Sequence, residues 1–264
     1  MGFKMNGSAL ITGAATRIGK EIALGLAAQG NNIVVHYLNS KKAAEQVASE
    51  AKLFGVRAEC IKANLLDDFE VSELIFKASA LIDSPLNILV NNASIFEYDS
   101  IETASTESWH RHIGSNLKAP LFLIQEFSKQ VPDGKKDING ESIPQGNVVN
   151  IVDQRVLKKT PEFFTYSLAK MGLWSLTQTA AQALAPKIRV NAIGPGPTLQ
   201  GHRQEKDHFK RQRKNTVLER GSTPSEIVDA LAFLLKTPSI TGQLICIDGG
   251  QHLAWKTADI LGLE

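Results

Sequence analysis

Short apolar runs that alternate with helix-length amphipathic segments constrain this chain more than any other feature. Strand-like runs fall at Ser8 to Thr12, Ile33 to Tyr37, Ala58 to Ile61, Ile88 to Val90, Asn147 to Val152, Ile188 to Ala192 and Leu244 to Ile247. Between them lie segments with helical periodicity near Ile18 to Gln29, Lys41 to Phe54, Asp68 to Ile82, Glu107 to Gln130, Tyr166 to Leu184 and Pro224 to Lys236. Alternation of this kind makes successive strands parallel, with right-handed crossovers. The expected fold is therefore α/β: a single Rossmann-like domain over residues 1–264, with a doubly wound, parallel, seven-stranded sheet and helices on both faces. Such sheets bind ligands outside the carboxyl ends of their strands, so residues just after strands carry the functional information.

At 264 residues with 43% hydrophobic content, the chain can bury one large core. Its 29 basic and 27 acidic residues give a net charge of +2, too even a balance for the broad field of a nucleic-acid binder. No run approaches the roughly 18 apolar residues of a membrane helix, and Met1 to Asn6 carry no apolar leader, so a cytoplasmic protein is expected. Cys60 and Cys246 sit in apolar strand-like runs, which points to buried free thiols and to no metal site. Val131 to Gly146 reads as a surface loop, and Gly194 to Gly221 as a long excursion of the kind that lids active sites. The basic run Lys210 to Lys214 within it reads as a solvated helix face.

After the first strand the chain runs Thr12-Gly13-Ala14-Ala15-Thr16-Arg17-Ile18-Gly19 into a helix. Small residues there let backbone approach a pyrophosphate, and a helix N-terminus offers free N–H groups and a favourable dipole. NAD-binding chains commonly place an acid at the end of the second strand, where it accepts from the ribose hydroxyls. Here Val35-His36-Tyr37-Leu38-Asn39-Ser40-Lys41 has none. Arg17, His36, Asn39, Ser40 and Lys41 instead offer donors or charge to an extra phosphate, so NADP(H) is the expected cofactor. His36 and Tyr37 could alternatively pack at a strand end.

Tyr166 and Lys170 are four residues apart and share a helix face. A phenol is a poor acid or base near neutrality, and a nearby ammonium together with a nicotinamide cation would favour its phenolate. Taken together, the glycine loop, Asn91-Asn92-Ala93, Asn116, the Tyr166/Lys170 pair, Arg189-Val190-Asn191 leading to Pro195-Gly196, and Asp248-Gly249-Gly250 resemble the short-chain dehydrogenase/reductase family. The resemblance implies that Tyr166 exchanges a proton with substrate while Lys170 stays charged and holds the nicotinamide ribose. It implies further that Asn116 continues a water-linked relay. Gly13, Thr16, Arg17, Ile18, Gly19, His36, Tyr37, Asn39, Ser40, Asn64, Leu65, Asn92, Ala93, Ser94, Pro195, Gly196 and Thr198, with Tyr166 and Lys170, would contact the cofactor. Helices corresponding to Glu107 to Gln130 and Phe164 to Ala185 pair between subunits in such proteins, which implies a dimer or tetramer.

Three departures narrow the choice: Arg17 stands where most members have glycine, Asn64 where an aspartate usually contacts adenine, and Asp153 where a catalytic serine usually stands. An ionised carboxylate about 4 Å from a developing alkoxide, at an effective dielectric near 20, would cost roughly 4 kcal/mol, or about a thousandfold in rate. The penalty vanishes if Asp153 is protonated, or if the substrate presents N–H donors and takes its proton on nitrogen. The chain is similar to pteridine reductases and dihydromonapterin reductases, which also carry an Arg in the glycine loop and an Asp-Tyr-Lys set. That similarity implies a small-molecule pterin substrate contacted by Ser94, Phe96, Asp153 and Tyr166, with Phe96 stacked on its ring. The late segment Gly249 to Leu253 is also similar to the end of such reductases, although His252 alone reads as a packed or surface residue. Two alternatives stand beside this reading: a 3-oxoacyl thioester reductase with a neutral Asp153, and a non-catalytic NADP-binding sensor or scaffold.

Overall fold

A computed structural model describes residues 7–201 and 204–256. Its main sheet has seven parallel strands in the order β3-β2-β1-β4-β7-β8-β9. The strands are β1 (Ser8–Ile11), β2 (Asn32–Tyr37), β3 (Ala58–Lys62), β4 (Ile88–Asn91), β7 (Gly146–Ile151), β8 (Ile188–Pro195) and β9 (Leu244–Ile247). The helices are α1 (Arg17–Ala28), α2 (Lys41–Lys52), α3 (Asp68–Leu81), α4 (Thr106–Ile113), α5 (Ala119–Gln130), α6 (Phe164–Leu184), α7 (Lys206–Lys214) and α8 (Pro224–Lys236). Strand order reverses between β1 and β4, which opens the crevice of a doubly wound sheet there.

Both sheet faces are covered, and for that reason the strands read as continuous apolar runs. Along β1, Ala9 and Ile11 enter the layer under α1, α2 and α8, whereas Leu10 enters the layer under α3, α5 and α6. Phe127 of α5 is fully buried in the second layer, and its truncation to alanine would cost about 3–5 kcal/mol. On α6 the buried positions Tyr166, Ala169, Lys170, Leu173, Thr177, Ala180 and Ala181 form one stripe. The packing that seats α6 on the sheet therefore also aims its tyrosine and lysine inward.

Several expected boundaries change. The segment from Glu107 to Gln130 is interrupted: α4 ends at Ile113, a wide π turn spans Gly114–Lys118, and α5 follows. A Cβ on Gly114 would meet the end of the Leu66 side chain at 2.7 Å, so glycine lets Leu66 lie against the turn. The loop before β7 contains a small hairpin, β5 (Lys135–Lys136) with β6 (Ser142–Ile143). β8 extends to Pro195, and the excursion after it contains α7. In α7 Arg213 is no solvated decoration, because its guanidinium donates to Pro197, Gly221 and Ser222 carbonyls and ties down both ends of the lid. Cys60 and Cys246 are free but only half-buried, since each lies on a strand at an edge of the sheet. Met1 to Asn6, where no apolar leader is expected, lie outside the described residues. Among the described residues no helix is long and apolar enough to cross a membrane.

Candidate active site

A cleft of about 1080 Å³ opens at the carboxyl ends of the strands and extends beneath the lid. Gly13, Thr16, Arg17, Ile18, Gly19, His36, Asn64, Leu65, Asn92, Ala93, Ser94, Phe96, Asp153, Tyr166, Lys170, Pro195, Gly196 and Thr198 all line it. Tyr37, Asn39, Ser40 and Asn116 do not. Tyr37, the last residue of β2, packs against the core layer, and Asn39 and Ser40 are exposed at the approach to α2.

The glycine loop is held by the side chains of Thr12 and Asn92 against backbone groups. Thr12 Oγ1 accepts from the N–H groups of Asn92 (2.9 Å) and Ala93 (3.0 Å), while the Asn92 amide donates to Thr12 and Gly13 carbonyls at 2.8 and 3.1 Å. A Cβ on Gly19 would come within 2.4 Å of the Gly13 carbonyl and 2.6 Å of the Asn92 amide, so helix α1 can approach β1 only with glycine there. The first turn of α1 has neither an acid nor a side-chain cap, and its N–H groups face the cleft unchallenged by a negative charge. These features fit a dinucleotide with phosphates at the loop. Arg17 adopts φ +57, a conformation that costs a non-glycine residue about 1–2 kcal/mol. From there its guanidinium donates to the carbonyls of Gln200 (2.9 Å) and Leu199 (3.2 Å) in the lid.

His36 corrects one expectation. Its ring is buried, Nδ1 accepts from Gly13 N–H at 3.0 Å and Nε2 lies 3.0 Å from the Ala63 carbonyl. That pair of contacts requires a neutral ring with its proton on Nε2. Burial holds the ring at a pKa of about 4, so His36 cannot offer charge to a phosphate. It braces the glycine loop against β3 instead. Asn64 is similarly engaged, its Oδ1 accepting from Leu66 N–H and its own N–H donating to Glu70.

At the other end of the cleft, Tyr166 donates its hydroxyl hydrogen to Asp153 Oδ2 at 2.9 Å. Asp153 ends the β7 connection and caps a short turn at Gln154–Val156, where its Oδ1 accepts from Arg155 N–H at 2.9 Å. Burial pushes the Asp153 carboxyl above its ordinary range, against the pull of the Arg155 N–H and guanidinium. Burial and then the Asp153 charge hold the Tyr166 phenol well above its usual 10. The nearest polar partner of the phenol is thus an acceptor, Asp153, rather than the ammonium of Lys170. Lys170 donates to the Ile151 carbonyl at 2.8 Å and lies 5.8 Å from the Tyr166 ring centre. Burial lowers its pKa to about 8, which leaves it charged at neutral pH.

Asn116 is buried in the π turn, with its side chain committed to both backbone groups of Ile95: it accepts at 2.9 Å and donates at 2.8 Å. It fixes the loop that carries Ser94 and Phe96. The Phe96 ring stacks on Phe163 at 4.2 Å and meets Tyr166 edge-on at 4.7 Å. Sequence reasoning passed over Phe163, which has φ +54 and carries the Arg155 guanidinium 5.0 Å from its ring. It also passed over Arg111, which forms a two-pronged pair with Glu97 at 3.0 and 2.8 Å. Neither sits in a motif, since each owes its place to an aromatic or acidic partner from another segment. His252 is paired with Asp248 at 2.7 Å, as a packed residue would be.

With this geometry in view, the known relatives are informative. Residues 13–252 match the family model adh_short_C2, described as enoyl-(acyl carrier protein) reductase. A 3-oxoacyl-(acyl-carrier-protein) reductase FabG of Staphylococcus epidermidis is 34% identical over 254 residues, covering 94% of this chain and 100% of the relative. A short-chain type dehydrogenase/reductase of Picea abies is 30% identical over 263 residues, covering 92% of this chain and 91% of the relative. The crystal structure of FolM alternative dihydrofolate reductase 1 from Brucella suis in complex with NADP is similar with a TM-score of 0.89 and 42% identity, covering 97% of this chain and 98% of that one. Its Brucella canis counterpart, complexed with NADP, has a TM-score of 0.89 and 40% identity, covering 98% of this chain and 100% of that one. The strand order, the glycine cradle and the buried tyrosine–lysine face are thus accounted for together: this chain belongs to the short-chain dehydrogenase/reductase family of oxidoreductases.

Proposed function

We propose that this protein is an NADPH-dependent reductase of a C=N bond in a pterin. The observation that carries the reading is the 2.9 Å hydrogen bond from Tyr166 to a buried aspartate, Asp153, at the position where the family usually has a serine. Likeness to the two FolM proteins, described as alternative dihydrofolate reductases, supports it. Bound at the glycine loop, the cofactor supplies a hydride to an electrophilic carbon. Gly13 and Gly19 admit its phosphates, Arg17 supplies positive charge beside them, and Lys170 holds the ribose side of the nicotinamide. Ser94 faces both ligands. Phe96 offers an aromatic face to the flat heterocycle. Asp153 accepts from the N–H donors of the pterin and so orients it. As hydride reaches carbon, the adjoining nitrogen takes a proton from Tyr166 or from a water linked to Asp153. The hydride's pair forms the new C–H bond, the π pair of the C=N bond takes the proton as the new N–H, and no alkoxide develops against the carboxylate.

A second reading, reduction of 3-oxoacyl thioesters, is favoured by the FabG relatives and by the burial that raises Asp153 towards its neutral form. NADPH oxidation followed with dihydrobiopterin, dihydromonapterin and dihydrofolate, beside acetoacetyl thioesters and no-enzyme controls, separates the two. Turnover confined to the pterins supports the first reading, and turnover confined to the thioesters replaces it with the second. The family habit of pairing helices between subunits, with Trp109, Leu121, Phe122 and Leu168 exposed on α4, α5 and α6, further supports a dimer or tetramer, measurable by light scattering.

A further inference from the structure

Behind the cleft lies a buried polar chain that none of the roles above uses. Asp99, on the loop between β4 and α4, is 2% exposed, Thr165 is 3% exposed and His112 is fully buried. Asp99 Oδ1 accepts from Thr165 N–H at 3.1 Å, Oδ2 accepts from the Thr165 hydroxyl in a very short bond, and the Asp99 carbonyl accepts from Phe164 N–H at 3.2 Å. One residue thus satisfies the first two N–H groups of α6, which the helix cannot satisfy itself. Phe163, at the position where a capping side chain normally stands, is left-handed and makes no cap bond. The cap comes instead from 66 residues earlier in the chain, and it places a carboxylate at the positive end of the helix dipole.

The third member sets the direction of the chain. His112 Nε2 accepts from Glu97 N–H at 3.2 Å, so the ring proton sits on Nδ1, which is 2.6 Å from Thr165 Oγ1. His112 therefore donates to Thr165, and Thr165 donates to Asp99. The residue after Thr165 is Tyr166, and the His112 ring meets the Tyr166 ring edge-on at 6.0 Å. Phe96, three residues before Asp99 on the same loop, meets Tyr166 from another side. None of the three residues lines the cleft.

We infer that Asp99, Thr165 and His112 are positioning residues that lock the Phe96 loop to the start of α6 and thereby set the Tyr166 hydroxyl against Asp153. The inference rests on Tyr166 working as the proton donor, and not on which substrate is reduced. It is tested in the full-length protein with whichever dihydropterin or acetoacetyl thioester the unmodified protein turns over, with rates counted per NADPH-binding site. Thr165→Val removes the hydroxyl at nearly constant volume. It should lower kcat on the order of tenfold to a hundredfold, as a small misplacement of a reacting group does, while NADPH Kd stays within about twofold. Thr165→Ser restores the hydroxyl and should recover most of the rate. In a Y166F background Thr165→Val should cost less than about threefold, because residues that act through one group are not additive. Asp99→Asn, which reverses the donor at that end of the chain, should reproduce the loss and serves if Thr165→Val does not fold.

Unchanged kcat in the folded variants, or an equal fold-loss with and without Tyr166, overturns the inference while Y166F itself remains slow. Y166F with the rate of the unmodified protein removes the reading of Tyr166, and this inference with it.

Discussion

The two ends of the cleft are built by opposite means. Around Gly13 and Gly19 the protein uses backbone, small residues and neutral side chains: Thr12, Asn92 and an uncharged His36 hold the loop, and positive charge comes from Arg17 and a helix terminus. Around Tyr166 it takes Asp153, Tyr166 and Lys170 out of water and lets burial displace every one of their pKa values. A phosphate-binding surface needs close approach and fixed N–H dipoles, which an acidic or bulky side chain would obstruct. A proton-transfer site needs groups whose proton affinities have left their solution values.

If that division holds, substitutions at the two ends should separate cleanly. The largest effect should come from Tyr166→Phe, with kcat down on the order of a thousandfold and NADPH Kd nearly unchanged in a fluorescence titration. Next, His36 makes the cofactor end sensitive to acid. Its folded pKa of about 4 lies below the solution value of 6.5, so on acidification the unfolded chain takes up a proton that the native ring refuses. Its contribution to stability is complete above pH 6.5 and falls as pH drops towards 4, by up to about 3 kcal/mol. Denaturant unfolding across that range should show the fall, and His36→Gln should flatten it. Gly19→Ala, by forcing a Cβ against the Gly13 carbonyl, should cost about 1–3 kcal/mol of stability and weaken NADPH binding before it touches kcat. The smallest effect should be Arg17→Gly. Relief of the positive φ, about 1 kcal/mol, opposes the lost lid bonds, so Tm should move little while the Kd for NADPH rises. A loss of kcat at Gly19 equal to that at Tyr166 would erase the distinction.

Much of this arrangement was legible beforehand, and the exceptions share a cause. The parallel, doubly wound sheet and the cleft at its strand ends followed from alternation and from glycines after strands, because those signals are local. The thirteen-residue spacing from Asp153 to Tyr166 located a pair that the fold does bring to hydrogen-bonding distance. What escaped depends on partners far along the chain. His36 looks like a phosphate ligand until Gly13 and Ala63 claim both ring nitrogens. The segment from Glu107 to Gln130 has unbroken helical periodicity, yet the packing of Leu66 against Gly114 accompanies a π turn that periodicity cannot register. Sequence also does not reveal how completely α6 buries Lys170, and hence that burial lowers its pKa to about 8. Asp99 lies in an irregular loop, and only the folded chain shows that it caps α6.

The central claim is that Asp153 selects a substrate protonated on nitrogen over one reduced at a ketone. The most direct measurement compares kcat/KM for a dihydropterin and for an acetoacetyl thioester in the unmodified protein and in Asp153→Ser, with NADPH saturating. The account predicts that Asp153→Ser lowers the pterin value on the order of a hundredfold and raises the thioester value, inverting the preference. Pterin reduction left unchanged by Asp153→Ser would contradict it.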